Sequence, residues 1–127
     1  MWKYTEYDEL TSIILGSAIE VHKVLGPGLL ESTYQKCLIH ELKLNQINVE
    51  SEIRLPIIYK DMELDHGYRI DLLVEGCIVL ELKTIESFSK VHYAQILTYM
   101  KLGDYPIGFL LNFDVKKMKE GIKRLIL

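Results

Sequence analysis

From Tyr68 to Lys83 the chain reads Tyr-Arg-Ile-Asp-Leu-Leu-Val-Glu-Gly-Cys-Ile-Val-Leu-Glu-Leu-Lys. Two runs of alternating apolar residues, dense in Ile, Val and Leu, are interrupted at Glu75-Gly76, where a tight turn forms most easily, so the stretch predicts a β-hairpin. Parity then decides what each face carries, because a slip of one residue sends every side chain of a strand to the opposite side. An even turn sets Asp71 opposite Leu80 and mixes both faces. A three-residue turn, or a bulge with Gly76 at positive φ, pairs Val74 with Ile78, Leu72 with Leu80 and Ile70 with Leu82, giving one wholly apolar face. The odd register is the one expected here. It puts Arg69, Asp71, Leu73, Val79, Glu81 and Lys83 on the other face, with Asp71 across from Glu81 and Arg69 across from Lys83.

Two carboxylates opposed across paired strands repel, and something must offset that repulsion. One answer is a neutral quartet closed by Arg69 and Lys83. The other is a divalent cation, since convergent hard oxygen ligands are what Mg²⁺ or Mn²⁺ requires. In that case apo protein should hold its carboxyl pKa values high.

A chain of 127 residues is expected to form one domain over residues 1–127, large enough to bury roughly two thirds of its unfolded surface. With 49% hydrophobic and 26% charged residues it has the composition of a globular protein. No apolar run approaches the roughly 20 residues that span a bilayer, and the first residues lack an apolar signal core, so a cytoplasmic protein with no membrane partner is expected. Cys37 and Cys77 are too few and too far apart for a zinc or iron–sulfur site and read as packing thiols. A net charge of −3 argues against strong nonspecific attraction to nucleic acid, although a bound metal or local basic residues override a mild global charge.

Along the chain, Leu10, Ile13, Ile14, Ser17, Ala18, Val21 and Leu25 recur at helical spacing and predict a helix from about Thr5 to Val24, ended by Gly26-Pro27-Gly28. A second helix is expected over about Leu30–Leu44, burying Leu30, Tyr34, Cys37, Leu38 and Leu42. Glu31 falls in its first turn, where the helix dipole alone favours a carboxylate. Residues 49–59 alternate as a strand, and Pro56 argues that it is an edge strand or bulged. Lys60–His66 reads as a polar turn. After the hairpin, Ser89 is placed to cap a helix over Lys90–Leu102, with Val91, Ala94, Ile96, Leu97 and Met100 on its apolar side. His92, Gln95 and Tyr99 form a polar stripe along it. Ile107–Phe113 is a buried strand whose burial suggests a parallel partner, reached through that helix. A basic segment, Lys116–Lys123, leads into a last edge strand over Ile122–Leu127.

Asp71 followed by Glu81-Leu82-Lys83 on adjacent strands, in this element order, resembles the PD-(D/E)xK nuclease superfamily. Within it, Gly28-Leu29-Leu30-Glu31-Ser32-Thr33-Tyr34 resembles the signature of the GxxExxY family. The resemblance covers nearly the whole chain. It implies an α/β, restriction-endonuclease-like α-β-β-β-α-β core, with a mixed central sheet flanked by helices. It also implies metal-binding roles for Asp71 and Glu81, with Glu31 as a direct or water-mediated ligand, and a catalytic role for Lys83. Glu31 matches an acidic residue of the first core helix and Gln95 a glutamine bordering the active site. Tyr34, His92 and Tyr99 are expected to contact substrate.

The leading expectation is a Mg²⁺-dependent (or Mn²⁺-dependent) nuclease acting on DNA or RNA, in which the ion polarises a phosphodiester oxygen and acidifies a water. A second reading is a noncatalytic module that binds nucleic acid or protein on the same fold. A third is a structural subunit whose Tyr-rich and Leu-rich surfaces form a homodimer.

Overall fold

A computed structural model describes residues 4–127 and places the hairpin at the centre of the fold. Strand β4 (Arg69–Val74) pairs antiparallel with β5 (Ile78–Lys83) in the odd register: Val74 faces Ile78, Leu73 faces Val79 and Leu72 faces Leu80. The turn is Glu75-Gly76-Cys77, closed by Cys77 N–H donating to the Val74 carbonyl at 3.0 Å. Glu75 and Gly76 both adopt positive φ, 51° and 67°. The strain of a non-glycine residue there is offset by two bonds to the neighbouring strand's lead-in: Asn48 N–H donates to Glu75 Oε1 (2.7 Å) and Glu75 N–H to the Asn48 carbonyl (2.9 Å).

The expected apolar face is only partly correct. Leu72, Val74, Ile78, Leu80 and Leu82 share one core cluster, but Ile70 packs with Leu73 and Val79 in the other. The backbone ladder stops at Leu72 and Leu80. Beyond it strict alternation breaks at Asp71, and neither Ile70–Leu82 nor Asp71–Glu81 is a backbone pair.

Around this hairpin a five-stranded mixed sheet is built in the order β1-β4-β5-β6-β7, with β1 spanning Val49–Arg54, β6 Ile107–Asn112 and β7 Ile122–Ile126. Only β5 and β6 run parallel, and helix α3 (Lys90–Gly103) is the crossover between them. All six residues of β6 are buried, as a strand covered on both faces requires. Helices α1 (Tyr4–Leu25) and α2 (Glu31–Leu44) contribute Leu10, Ile14, Tyr34 and Leu38 to one side of the sheet, while Ile96, Tyr99 and Met100 of α3 cover the other. The chain is therefore α/β with helices on both faces. No helix among the described residues is long and apolar enough to cross a membrane.

Three expectations about the elements need correction. The strand expected over residues 49–59 divides at Leu55-Pro56, because proline has no N–H for the ladder. Its second half, β2 (Ile57–Tyr59), turns away to pair with β3 (Met62–Leu64) through Lys60-Asp61, at φ 45° and 71°. What read as a polar turn is thus largely a second, small hairpin. Helix α3 is rotated from its expected face: Val91 is 73% exposed while Tyr99 is buried. Gly108 explains the close seating, since a Cβ there would meet Met100 Sδ at 2.7 Å. Leu30, expected on the buried side of the second helix, is exposed as well.

Tyr34, expected to contact substrate, lies in the core. It is fully buried and stacks on Phe113 with ring centroids 4.6 Å apart. Its hydroxyl donates to the Gly26 carbonyl (2.5 Å) and accepts from Leu29 N–H (3.1 Å), tying down the Gly26-Pro27-Gly28 loop that delivers α2. Tyr34→Phe keeps the stack and leaves both partners unpaired, so it should lower unfolding stability by about 1–3 kcal/mol in urea melts. An unchanged midpoint would show that the hydroxyl does not hold the loop.

Candidate functional site

Where the ladder of β4 and β5 ends, the strands separate and the two carboxylates occupy the fork. Asp71 N–H donates to Glu81 Oε2 and Leu82 N–H donates to Asp71 Oδ2, each at 2.8 Å. Each acidic side chain thus takes the place of a carbonyl in the missing backbone ladder. One oxygen of each is used this way; Asp71 Oδ1 and Glu81 Oε1 have no protein hydrogen bond among the described residues. Glu81 is 3% exposed and Asp71 half-buried.

The electrostatics of the fork follow from that burial. Glu81 is pushed up to about 8, first by burial and then by the Asp71 charge; Asp71 N–H and the Lys83 ammonium pull the other way. Asp71 is pushed up to about 6, mainly by burial with Glu31 and Glu52 adding to it, against the bond from Leu82 N–H and the charge of Lys83. The expected rise in carboxyl pKa is found at Asp71 and at Glu81. Tyr99 is raised as well, by burial and then by Glu81, Tyr68 and Asp71, with Gln95 at its hydroxyl opposing the shift. These mutual influences bring Asp71, Glu81, Lys83, Glu31, Gln95 and Tyr99 into one neighbourhood, with α2 on one side of the fork and α3 on the other.

The neutral quartet does not form. Arg69 turns to Asp65 (3.5 Å) and to the Tyr68 carbonyl (3.0 Å), and Arg54 also pairs with Asp65. These are the only ion pairs among the described residues. A buried pair of carboxyls therefore faces one half-buried ammonium with no direct bond to it, and must either keep a proton or recruit a cation.

Two participants were missed in the sequence. Gln35 donates its side-chain amide to the Asp71 carbonyl at 3.3 Å, steadying the backbone at the fork. Its position four residues after Glu31, on the same helix face, was the available signal. Glu52 of β1 lies within Coulombic reach of Asp71 and adopts φ 53°; nothing in the alternation of residues 49–59 distinguishes it from a solvent-facing strand residue. His92, in contrast, is engaged in helix capping: its Nδ1 accepts from Ser89 N–H at 2.9 Å, so the ring closes the first turn of α3. The expectation that Ser89 begins the helix holds, with His92 as its reciprocal partner.

Whether these residues suit a divalent ion depends on the donors. Among the described residues no three His, Cys, Asp or Glu side chains form a ready-made cage, and Glu31 acts on the pair through space. Mg²⁺ does not need such a cage, because it keeps several waters and takes one or two carboxylates together with substrate phosphate. The spare oxygens of Asp71 and Glu81 fit that requirement.

The raised carboxyl pKa values fix a sign for stability. The unfolded chain releases these protons at ordinary values of 3.8 and 4.5, whereas the folded chain holds them to about 6 and about 8. Their contribution is complete below pH 4 and is lost as pH rises toward 8, because the native state then binds more protons than the unfolded state. Metal-free protein should lose unfolding free energy across that window, and Glu81→Gln should flatten the decline. Urea titrations at a series of pH values check this; a wild-type profile that climbs from pH 5 to pH 8 would contradict it.

Comparison with protein families gives a match between residues 8–125 and the model of the PD-(D/E)XK nuclease superfamily. No curated protein and no solved structure matches the chain.

Proposed function

Because this chain belongs to the PD-(D/E)XK nuclease superfamily, we propose that it is a divalent-metal-dependent phosphodiesterase that hydrolyses DNA or RNA at the fork of β4 and β5. The observation that carries this reading is the buried Asp71–Glu81 pair with no ion-pair partner, each carboxylate keeping one oxygen available. Nucleases of the superfamily generally use divalent metal ions. Mg²⁺ is the ion proposed, with Mn²⁺ as its substitute, and when bound it supplies Lewis acidity toward a phosphodiester oxygen and toward water.

The chain's own residues do the remainder. Asp71 and Glu81 hold the ion, and their exchange of backbone N–H bonds keeps the carboxylates oriented before it arrives. Lys83 presents a compact ammonium beside them, where it orients the attacking water and stabilises negative charge developing on the phosphorus oxygens. Glu31 acts through water on the same centre. Gln95 and Tyr99, one turn apart on α3, form one wall of the site, and Gln35 fixes the Asp71 backbone. We further place the chain in the GxxExxY family, on Gly28, Glu31 and Tyr34. The structure suggests a division of labour within that motif: Gly28 adopts φ 103°, Tyr34 anchors the loop, and Glu31 is delivered toward the fork.

The reciprocal carboxylate bonds also favour a second reading, in which Asp71 and Glu81 only complete the hairpin and the domain binds nucleic acid or protein without turnover. Cleavage assays separate the two. With Mg²⁺ or Mn²⁺ present, Asp71→Ala and Lys83→Ala should each reduce phosphodiester hydrolysis by about 10²–10³-fold, and Glu31→Gln by about 10-fold as a water-mediated ligand. Cleavage that persists in both of the first two variants would remove this site from the mechanism. Binding with no metal-dependent product would support the noncatalytic domain.

A further inference from the structure

A groove of about 450 Å³ lies between the outer side of α3 and the β2–β3 hairpin. It is lined by Ile57, Tyr68, Val91, Ala94, Gln95 and Tyr99. Tyr99 lies within Coulombic reach of Glu81 and Asp71, and Gln95 precedes it by one turn on the same helix. The groove therefore lies beside the carboxylate site, along α3. Its remaining lining residue, Thr98, turns its hydroxyl back to the Ala94 carbonyl at 2.9 Å.

The chemistry of this lining is selective. None of the lining side chains is a carboxylate, ammonium, guanidinium or imidazole, so nothing in the groove would hold a phosphate or a charged side chain. Tyr68 is set edge-on against Tyr99, with centroids 6.4 Å apart, and yet remains 44% exposed, which leaves an oriented aromatic ring open to a ligand. Val91, 73% exposed, supplies a further apolar surface. Beside Tyr68, Arg54 and Arg69 both pair with Asp65, and Glu63 lies within Coulombic reach of Arg54, so the cations at this edge are matched by carboxylates. A flat neutral ligand matches this lining, and the volume is that of a small-ligand pocket rather than a helix-binding cleft.

We propose that the groove receives an unpaired nucleobase of the substrate strand beside the scissile phosphate, stacked on Tyr68, so that the chain acts on single-stranded or locally unpaired nucleic acid. This rests on the phosphodiesterase reading above. A base inside a duplex has both faces covered by its neighbours and cannot enter without being extruded. Stacking on an aromatic ring is tolerant of sequence, because every base has a π-face. Beyond Ile57, Ile58 and Tyr59 are 70% and 58% exposed and continue the apolar surface outward.

The test is fluorescence anisotropy with short labelled DNA and RNA oligonucleotides, single-stranded and as blunt duplexes, in Ca²⁺ buffer, followed by cleavage of the same probes in Mg²⁺ and Mn²⁺. Single strands should bind at least about tenfold more tightly than duplex. Tyr68→Ala should weaken single-strand binding by about 5- to 100-fold while Tyr68→Phe retains it, since stacking needs the ring and not the hydroxyl. Circular dichroism confirms that each variant is folded. Equal affinity for duplex and single strand, or unchanged binding by Tyr68→Ala, overturns the proposal. Duplex cleavage that survives Tyr68→Ala and is lost in Asp71→Ala overturns it while leaving the metal site standing. Tyr68-dependent binding of single strands without cleavage supports the groove and overturns the phosphodiesterase reading instead.

Discussion

The exchange of bonds between Asp71 and Glu81 and each other's strand is the interaction on which the rest of this molecule turns. A hairpin closed by backbone bonds to its end would leave both acids as ordinary side chains on a sheet surface. Here the ladder stops at Leu72 and Leu80, and the acids take over as acceptors. That substitution buries charge, and burial keeps the carboxyls protonated to unusually high pH. Structure takes one oxygen of each carboxylate at this point and leaves the other to chemistry. The arrangement is a local departure from the best sheet geometry of the kind that functional sites tolerate.

The surrounding fold holds the fork from several directions. The Asn112 side chain, at the end of β6, brackets the connector after Lys83: its Oδ1 accepts from Ile85 N–H (3.1 Å) and its amide donates to the Ile85 carbonyl (2.8 Å). Phe113 N–H donates to the Lys83 carbonyl at 2.9 Å. The same Phe113 ring carries Tyr34 and, through it, the loop that starts α2. Lys83 and Glu31 thus share a mechanical base although they lie on different elements. On the opposite face, the missing side chain of Gly108 lets α3 sit low enough for Tyr99 to be buried beside Glu81.

Much of this was legible in the sequence because the sharpest constraint was combinatorial. Parity, applied to a short run dense in β-branched residues, selected the register of the hairpin, and the composition of Ile107–Phe113 disclosed a strand covered on both sides. What escaped depended on tertiary placement. The face of α3 could not be chosen from periodicity, since Tyr99 and Val91 are both apolar enough to be buried and only the close approach at Gly108 decides between them. Ile70 changed sides because the backbone is irregular at Asp71, and no pattern of residue types reports a broken ladder. His92 and Tyr34 looked like binding groups by type, yet a cap and a core stack use them locally. Gln35 was visible by spacing from Glu31, whereas Glu52 left no trace in its strand.

The three-residue turn at Glu75-Gly76-Cys77 has a consequence for how this lineage can vary. It lies at the far end of the hairpin from the acids, and none of its side chains takes part in the fork. Yet a single codon lost from it would shift one strand by one step, carry Asp71 and Glu81 to opposite sides of the sheet, and leave every reactive residue intact but out of reach of its partner. Length at that tip is therefore as much a part of the site's inheritance as the acids themselves. A change of side chain there leaves the pairing step intact, whereas an insertion or deletion of one residue does not.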